Sequence, residues 1–122
     1  MNRRALDQLC TPWPGVSRDV KWGADLVYSV TGKMFLVCLD QPQPEAFSFK
    51  VPDEHFLALT EQPGIIPSPY AARYKWIRVT EPARYGDAWL AARIRESYEL
   101  VAAKLPKKTR LALGIELSTD RL

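Results

Sequence analysis

"LVYSVTGKMFLVCL", residues 26–39, decides the fold class. Through Val30, two sets of residues alternate: Leu26, Tyr28 and Val30 against Val27, Ser29 and Thr31. A period of two is the signature of a β-strand, whose successive side chains point to opposite faces. "TGK" at 31–33 then offers a glycine where a hairpin has to reverse. The run from Met34 to Leu39 is apolar throughout, which suits a central strand covered on both faces. Two antiparallel strands, the second of them central, anchor the reading, and the preceding "VSRDVKWGAD" (16–25) extends the β-rich region towards the N-terminus.

Beyond the hairpin, "QPQPE" (41–45) reads as a loop, because closely spaced prolines interrupt a sheet ladder. "AFSFKV" (46–51) resumes strict alternation, with Phe47, Phe49 and Val51 inward and Ser48 and Lys50 outward. A helix is expected from Pro52 or Asp53 to the stop at Pro63-Gly64, with Asp53 and Glu54 at its positive end. Its buried stripe would be Phe56, Leu57 and Leu59. "IIPSPY" (65–70) reads as a loop, and "RYKWIRVT" (73–80) as a further strand. Alternation there puts Lys75, Ile77 and Val79 on one face, and Tyr74, Trp76 and Arg78 on the more exposed one.

From Gly86 to Leu105 the period becomes helical: Leu90, Ile94, Tyr98, Val101 and Leu105 recur on one face until Pro106 ends the run. "KKTRLALG" (107–114) reads as a short basic turn or helix and "IELSTDRL" as a fraying tail. At the other end, "NRRALDQLC" (2–10) reads as a short amphipathic helix stopped by "TPWPG". These elements add up to one α+β domain over 1–122, an antiparallel sheet with helices packed on one face.

At 122 residues, 47% hydrophobic and 25% charged, the composition is that of an ordinary globular domain. No stretch approaches the ~18 apolar residues of a membrane span. No apolar run follows Arg3 and Arg4, so neither a signal peptide nor a membrane partner is expected, and the cytoplasm is the expected compartment. Cys10 and Cys38 belong to no metal-ligating cluster and are expected as reduced, buried thiols. The net charge of +3 is unevenly spread: residues 73–110 carry ten basic side chains against four acidic ones. Such a half-chain suits a polyanionic partner.

The texts "TPWPGV", "GKMF", "FSFKVP", "PGIIPSPY", "YKWIRV" and "ESYELVAAKLPKK" follow one another along almost the whole chain. In these blocks, above all "SYELVAAKLPKK" (97–108), the sequence resembles the MmcQ/YjbR family of small bacterial proteins. That resemblance implies a fold similar to CyaY, the bacterial frataxin, and a DNA-binding role through a double-wing arrangement. Many members carry a histidine-containing stretch where this chain reads "YAARYKW", so Tyr70 and Arg73 hold the polar positions before Trp76.

The candidate site follows from the charge. On the strand side, Arg73, Lys75 and Arg78 would neutralise phosphates while Tyr74 or Trp76 offers a stacking surface. At the end of the long helix, Lys104, Lys107, Lys108 and Arg110 would do the same, at a place where the helix dipole already favours cations. Other chemistries find no footing. The glycine before Lys33 lacks the rest of a phosphate-binding loop, and Asp53, Glu54 and His55 are consecutive helical residues that do not face one another. Iron in a frataxin-like fold relies on clustered carboxylates, whereas the first helix here holds Asp7 against Arg3 and Arg4. Neither Ser97 nor Ser118 sits in a nucleophile motif, so we expect no catalysis, no metal and no cofactor. The alternative is a binding module for a small molecule or protein, built from Trp13, Trp22, Tyr28 and Trp89.

Overall fold

The computed structural model describes residues 1–23, 25–39, 45–69 and 71–117. Helix α1 (Arg3–Cys10) leads into β1 (Val16–Lys21), β2 (Asp25–Val30), β3 (Lys33–Cys38) and β4 (Phe47–Lys50). Then come α2 (Asp53–Thr60), β5 (Ile65–Pro67), β6 (Trp76–Val79), α3 (Asp87–Ala102) and α4 (Lys107–Leu113). The strands form one sheet in the order β1-β2-β3-β4-β6-β5, and every neighbouring pair is antiparallel.

The β2–β3 reversal is as tight as its sequence suggests. Val30 pairs with Lys33, leaving Thr31 and Gly32 as a two-residue turn with φ of +46° and +81°. Two positive φ values define the turn whose twist matches that of the flanking strands. Further along, the register slips: Tyr28 faces Leu36 while Ser29 faces Met34, so Phe35 is the extra residue of a β-bulge. The bulge lets Phe35 and Leu36, though adjacent, both enter the main core.

That core lies between one face of the sheet and the helices. Leu6 and Cys10 of α1 and Leu90, Ile94 and Tyr98 of α3 meet Tyr28, Leu36, Phe47, Phe49, Ile77 and Val79 of the strands. Trp13, Phe35 and Tyr98 form a ring cluster with centroids 5.1 to 6.1 Å apart. Each such pair contributes about 0.5–1.5 kcal/mol beyond its buried area. The Tyr98 hydroxyl also donates to Pro14 O at 2.6 Å, tying α3 to the turn after α1.

Several expectations are corrected by this packing. Residues 65–67 are a strand, because Ile65 pairs with Val79 and Pro67 with Ile77 across the sheet edge. Ser48 is buried, because Ser68 and Ala71 lie over the second face; there Val27, Val37, Leu39, Ala46 and Trp76 form a smaller cluster. Helix α2 stops at Thr60, before Pro63-Gly64, and leans on the core only through half-buried Phe56 and Leu59, so Leu57 stays exposed. Helix α3 ends at Ala102, and Leu105 enters the core from the connection to α4. Of the tail expected to fray, residues 115–117 are held by Ile115 and Leu117, which are buried in the main core, and residues 118–122 lie outside the described residues. Prolines 42 and 44 of the expected loop, with Tyr70, lie outside the described residues.

Candidate functional site

A cleft of about 940 Å³ opens between the end of β4, the start of α2, the turn before β6, and α3. Six cations line it: Arg93 and Arg95 on α3, and a group of four formed by Lys50, Arg73, Lys75 and Lys104. The backbone explains how they converge. Ala72–Tyr74 form one 3₁₀ turn, and Lys75 follows at a φ of +63°, a left-handed conformation uncommon outside glycine. The kink redirects the chain into β6, while Lys75 O accepts a hydrogen bond from Val51 N at 2.9 Å. This joins the end of β4 to the turn and brings Lys50 beside it.

Side chains then complete the surface. The Lys50 ammonium donates to Tyr74 O, and Lys75 Nζ stands 5.2 Å from the centre of the Phe56 ring. Arg73 lies 5.0 Å over the ring of Tyr74, whose side chain is 57% exposed. Burial pushes the Lys50 pKa below its ordinary value, and the positive charges of Lys104 and Lys75 push it further, with Asp53 opposing. Like charges held this close favour an anion between them. Carboxylates rim the same cleft: Asp53 and Glu54 at the start of α2, and Glu96 and Glu99 paired with Arg93 and Arg95 along α3.

The structure therefore divides the expected site. Arg73, Tyr74, Lys75 and Lys104 come together across 31 residues of sequence, and Lys50 joins them. The expectation that Arg73, Tyr74 and Lys75 lie on a strand is corrected, since the 3₁₀ turn and the left-handed Lys75 precede β6. Trp76 and Arg78 do share a strand face, but it is a covered one. Trp76 is 9% exposed and packs in the second cluster, and Arg78 donates to the Ser48 hydroxyl at 3.5 Å. Neither lines the cleft. Lys107 and Lys108 are exposed in the first turn of α4, and Arg110 follows in the same helix. The supposed dipole benefit is thus reversed for the two lysines, which stand at the positive end of α4 rather than the negative end of α3.

The aromatic alternative loses its common surface. Trp13 and Tyr28 belong to the main core, and Trp22 is exposed in the turn after β1. Trp89 stacks on Tyr85 at 5.1 Å. Cys10 and Cys38 are free and buried, and burial pushes both thiols up to about 12. Among the described residues, no group of three His, Cys, Asp or Glu side chains is arranged to hold a metal ion.

The family model named YjbR matches residues 12–100. The chain belongs to the YjbR family. No curated protein matches it. The YjbR fold recurs in a Deinococcus radiodurans protein with a DUF419 domain, at TM-score 0.85 and 24% identity, over 94% of this chain and 89% of that one. A Pseudomonas syringae protein shares it at TM-score 0.65 and 20% identity, over 83% and 99% of the two chains. Within the cleft, Lys50, Arg73, Tyr74 and Lys75 fall inside the segment matched to YjbR, and Lys104 falls just beyond it.

Sequence reasoning missed Lys50. It was legible as the outward residue of "FSFK", and its place at the end of that strand, beside a helix opened by proline, was the available signal. What no local pattern gave was its meeting with Lys104, 54 positions away.

Proposed function

We propose that this protein binds DNA without catalysing a reaction on it, holding phosphates in the cleft between Lys50, Arg73, Lys75 and Lys104. The observation that carries the reading is the convergence of these four side chains on one cleft, where the lysines beside Lys50 disfavour its charged form. A phosphate placed among these groups relieves that repulsion. Tyr74 adds an exposed ring beside the cations, on which a base can stack. The contacts in this reading go to phosphates, which carry no sequence information, so the binding is sequence-tolerant. In this reading the protein works in the bacterial cytoplasm, where DNA is accessible to it.

Fluorescence anisotropy with labelled DNA at two salt concentrations tests the proposal. Four phosphate contacts give a log–log salt slope of roughly −3 to −4. A Lys75→Glu/Lys104→Glu variant should lose most of the affinity and flatten that slope. Absence of binding by the wild type near physiological salt overturns the reading.

A further inference from the structure

The two edges of the sheet differ. β5 is three residues long, and Pro67 has no N–H to offer another strand. β1, at the opposite edge, has six residues and no proline, and among the described residues it pairs only with β2. Its open side is identified by Val20, whose N–H is taken by Asp19 Oδ1 at 2.9 Å and not by β2. Backbone groups alternate in direction along a strand, so Val16 and Arg18 present theirs to the same open side. Along this edge lie two exposed apolar side chains, Val20 at 60% and Trp22 at 67%. Asp19 and Lys21 flank Val20 on the strand, and neither has an ion-pair partner among the described residues.

We propose that β1 pairs antiparallel with β1 of a second copy of this chain, about a two-fold axis at Val20, so that one sheet continues through both copies. A two-fold axis perpendicular to the sheet allows few registers, because each residue must face one on the same side of the sheet. Centring the axis on Arg18, whose charge is already held by Asp7, leaves Asp19 and Lys21 without opposite charges across the seam, and centring it on Asp19 sets two aspartates against each other. Like charges directly opposite one another destabilise a strand pair. Centring on Ser17 leaves Val20 and Trp22 uncovered. Centring on Val20 transfers the Val20 N–H from Asp19 Oδ1 to Val20 O of the second copy, and it places the freed Asp19 opposite Lys21 of that copy and Lys21 opposite its Asp19. It also sets the two Val20 side chains together, with the exposed Trp22 in the turn at each end of the paired stretch. Charge and apolar surface are satisfied together only in this last register.

The inference is independent of DNA binding, and so is its test. Sedimentation equilibrium of the full chain at low salt should show a mass rising with concentration towards twice that of one chain. Asp19→Lys alone or Lys21→Asp alone should leave a folded monomer, checked by circular dichroism. The combined Asp19→Lys/Lys21→Asp variant restores opposite charges across the axis and should dimerise again. In a Val20→Cys variant the paired Cα atoms would stand about 5.5 Å apart, within disulfide range, so mild oxidation should cross-link two chains. The native cysteines are buried and do not compete. A wild type that stays monomeric at every concentration overturns the proposal. So does a dimer that survives both single reversals, a charge swap that fails to restore it, or a Val20→Cys protein that does not cross-link.

Discussion

The Ser97 hydroxyl donates to Phe35 O at 2.7 Å across 62 residues of sequence, and Ser97 Oγ accepts from Lys50 N at 3.0 Å. Phe35 is the residue that the β-bulge leaves without a partner in the ladder, so α3 supplies the hydrogen bond that β2 does not. One buried serine thereby serves β3 and β4 together. Replacing Ser97 with alanine strands a carbonyl and an amide inside the protein. Each unsatisfied group costs about 1–3 kcal/mol. The expected outcome is a loss of a few kcal/mol of stability, read from the midpoint of a urea or thermal transition. An unchanged midpoint would show that water reaches the bulge.

Thr31 holds a φ of +46° in the hairpin turn, where a β-branched residue is strained. Thr31→Asn produces the Asn-Gly pair preferred by this turn. We expect Thr31→Asn to stabilise the protein by about 1 kcal/mol, the lower end of the strain stored by a non-glycine residue in a left-handed conformation. Gly32→Ala should do the opposite: its φ of +81° strains any L side chain, even though nothing stands within 4 Å of an added Cβ. Paired denaturation curves of the two variants check both signs.

Acid sensitivity should centre on Asp7. A hydrogen bond from the Tyr28 hydroxyl at 2.8 Å lowers its pKa below the ordinary 3.8, and burial opposes the shift. Arg18 lowers it further by a hydrogen bond and by its charge. A carboxylate depressed on folding binds fewer protons in the native than in the unfolded chain, so its stabilisation is complete above the ordinary carboxylate range. It is lost as pH falls through the depressed value. Asp7→Asn should therefore lower stability near neutrality and flatten the acid limb of a stability-against-pH curve. Equal acid limbs in the two proteins would remove Asp7 from the account.

How much of this was legible depends on how local the cause is. Residues 26–39 and 47–51 show their strands because one face of each is almost continuously buried, and residues 87–102 show a helix because one stripe is. The charged and aromatic alternation of Arg73 to Trp76 imitates a strand. What breaks it is the left-handed Lys75, whose side-chain type carries no sign of that φ. The split between α3 and α4 was half visible. Pro106 marked a stop, but not that Lys107 and Lys108 begin a new helix beyond it. The cleft was least legible, because Lys50, Lys75 and Lys104 meet through the stacking of β4, the turn and α3 rather than through spacing in sequence.

Tyr74 and Trp76 are two residues apart, and the structure assigns them opposite roles. Trp76 fills the second cluster against Val27, Val37, Leu39 and Ala46, so Trp76→Ala opens a cavity. Truncation of a buried Trp to alanine costs about 3–5 kcal/mol, and the small residual exposure of Trp76 places it towards the lower end. Tyr74 is mostly exposed and contributes its ring to the cleft surface, so Tyr74→Ala should leave the unfolding midpoint almost unmoved. If a base stacks there, the same change should weaken DNA binding by about 1–3 kcal/mol, roughly ten- to a hundredfold in Kd. Stability and anisotropy measured on both variants separate the roles. A Trp76→Phe variant that keeps the core filled should bind DNA like the wild type, since Trp76 does not reach the cleft. Weakened binding in that variant, with stability retained, would return Trp76 to the interface.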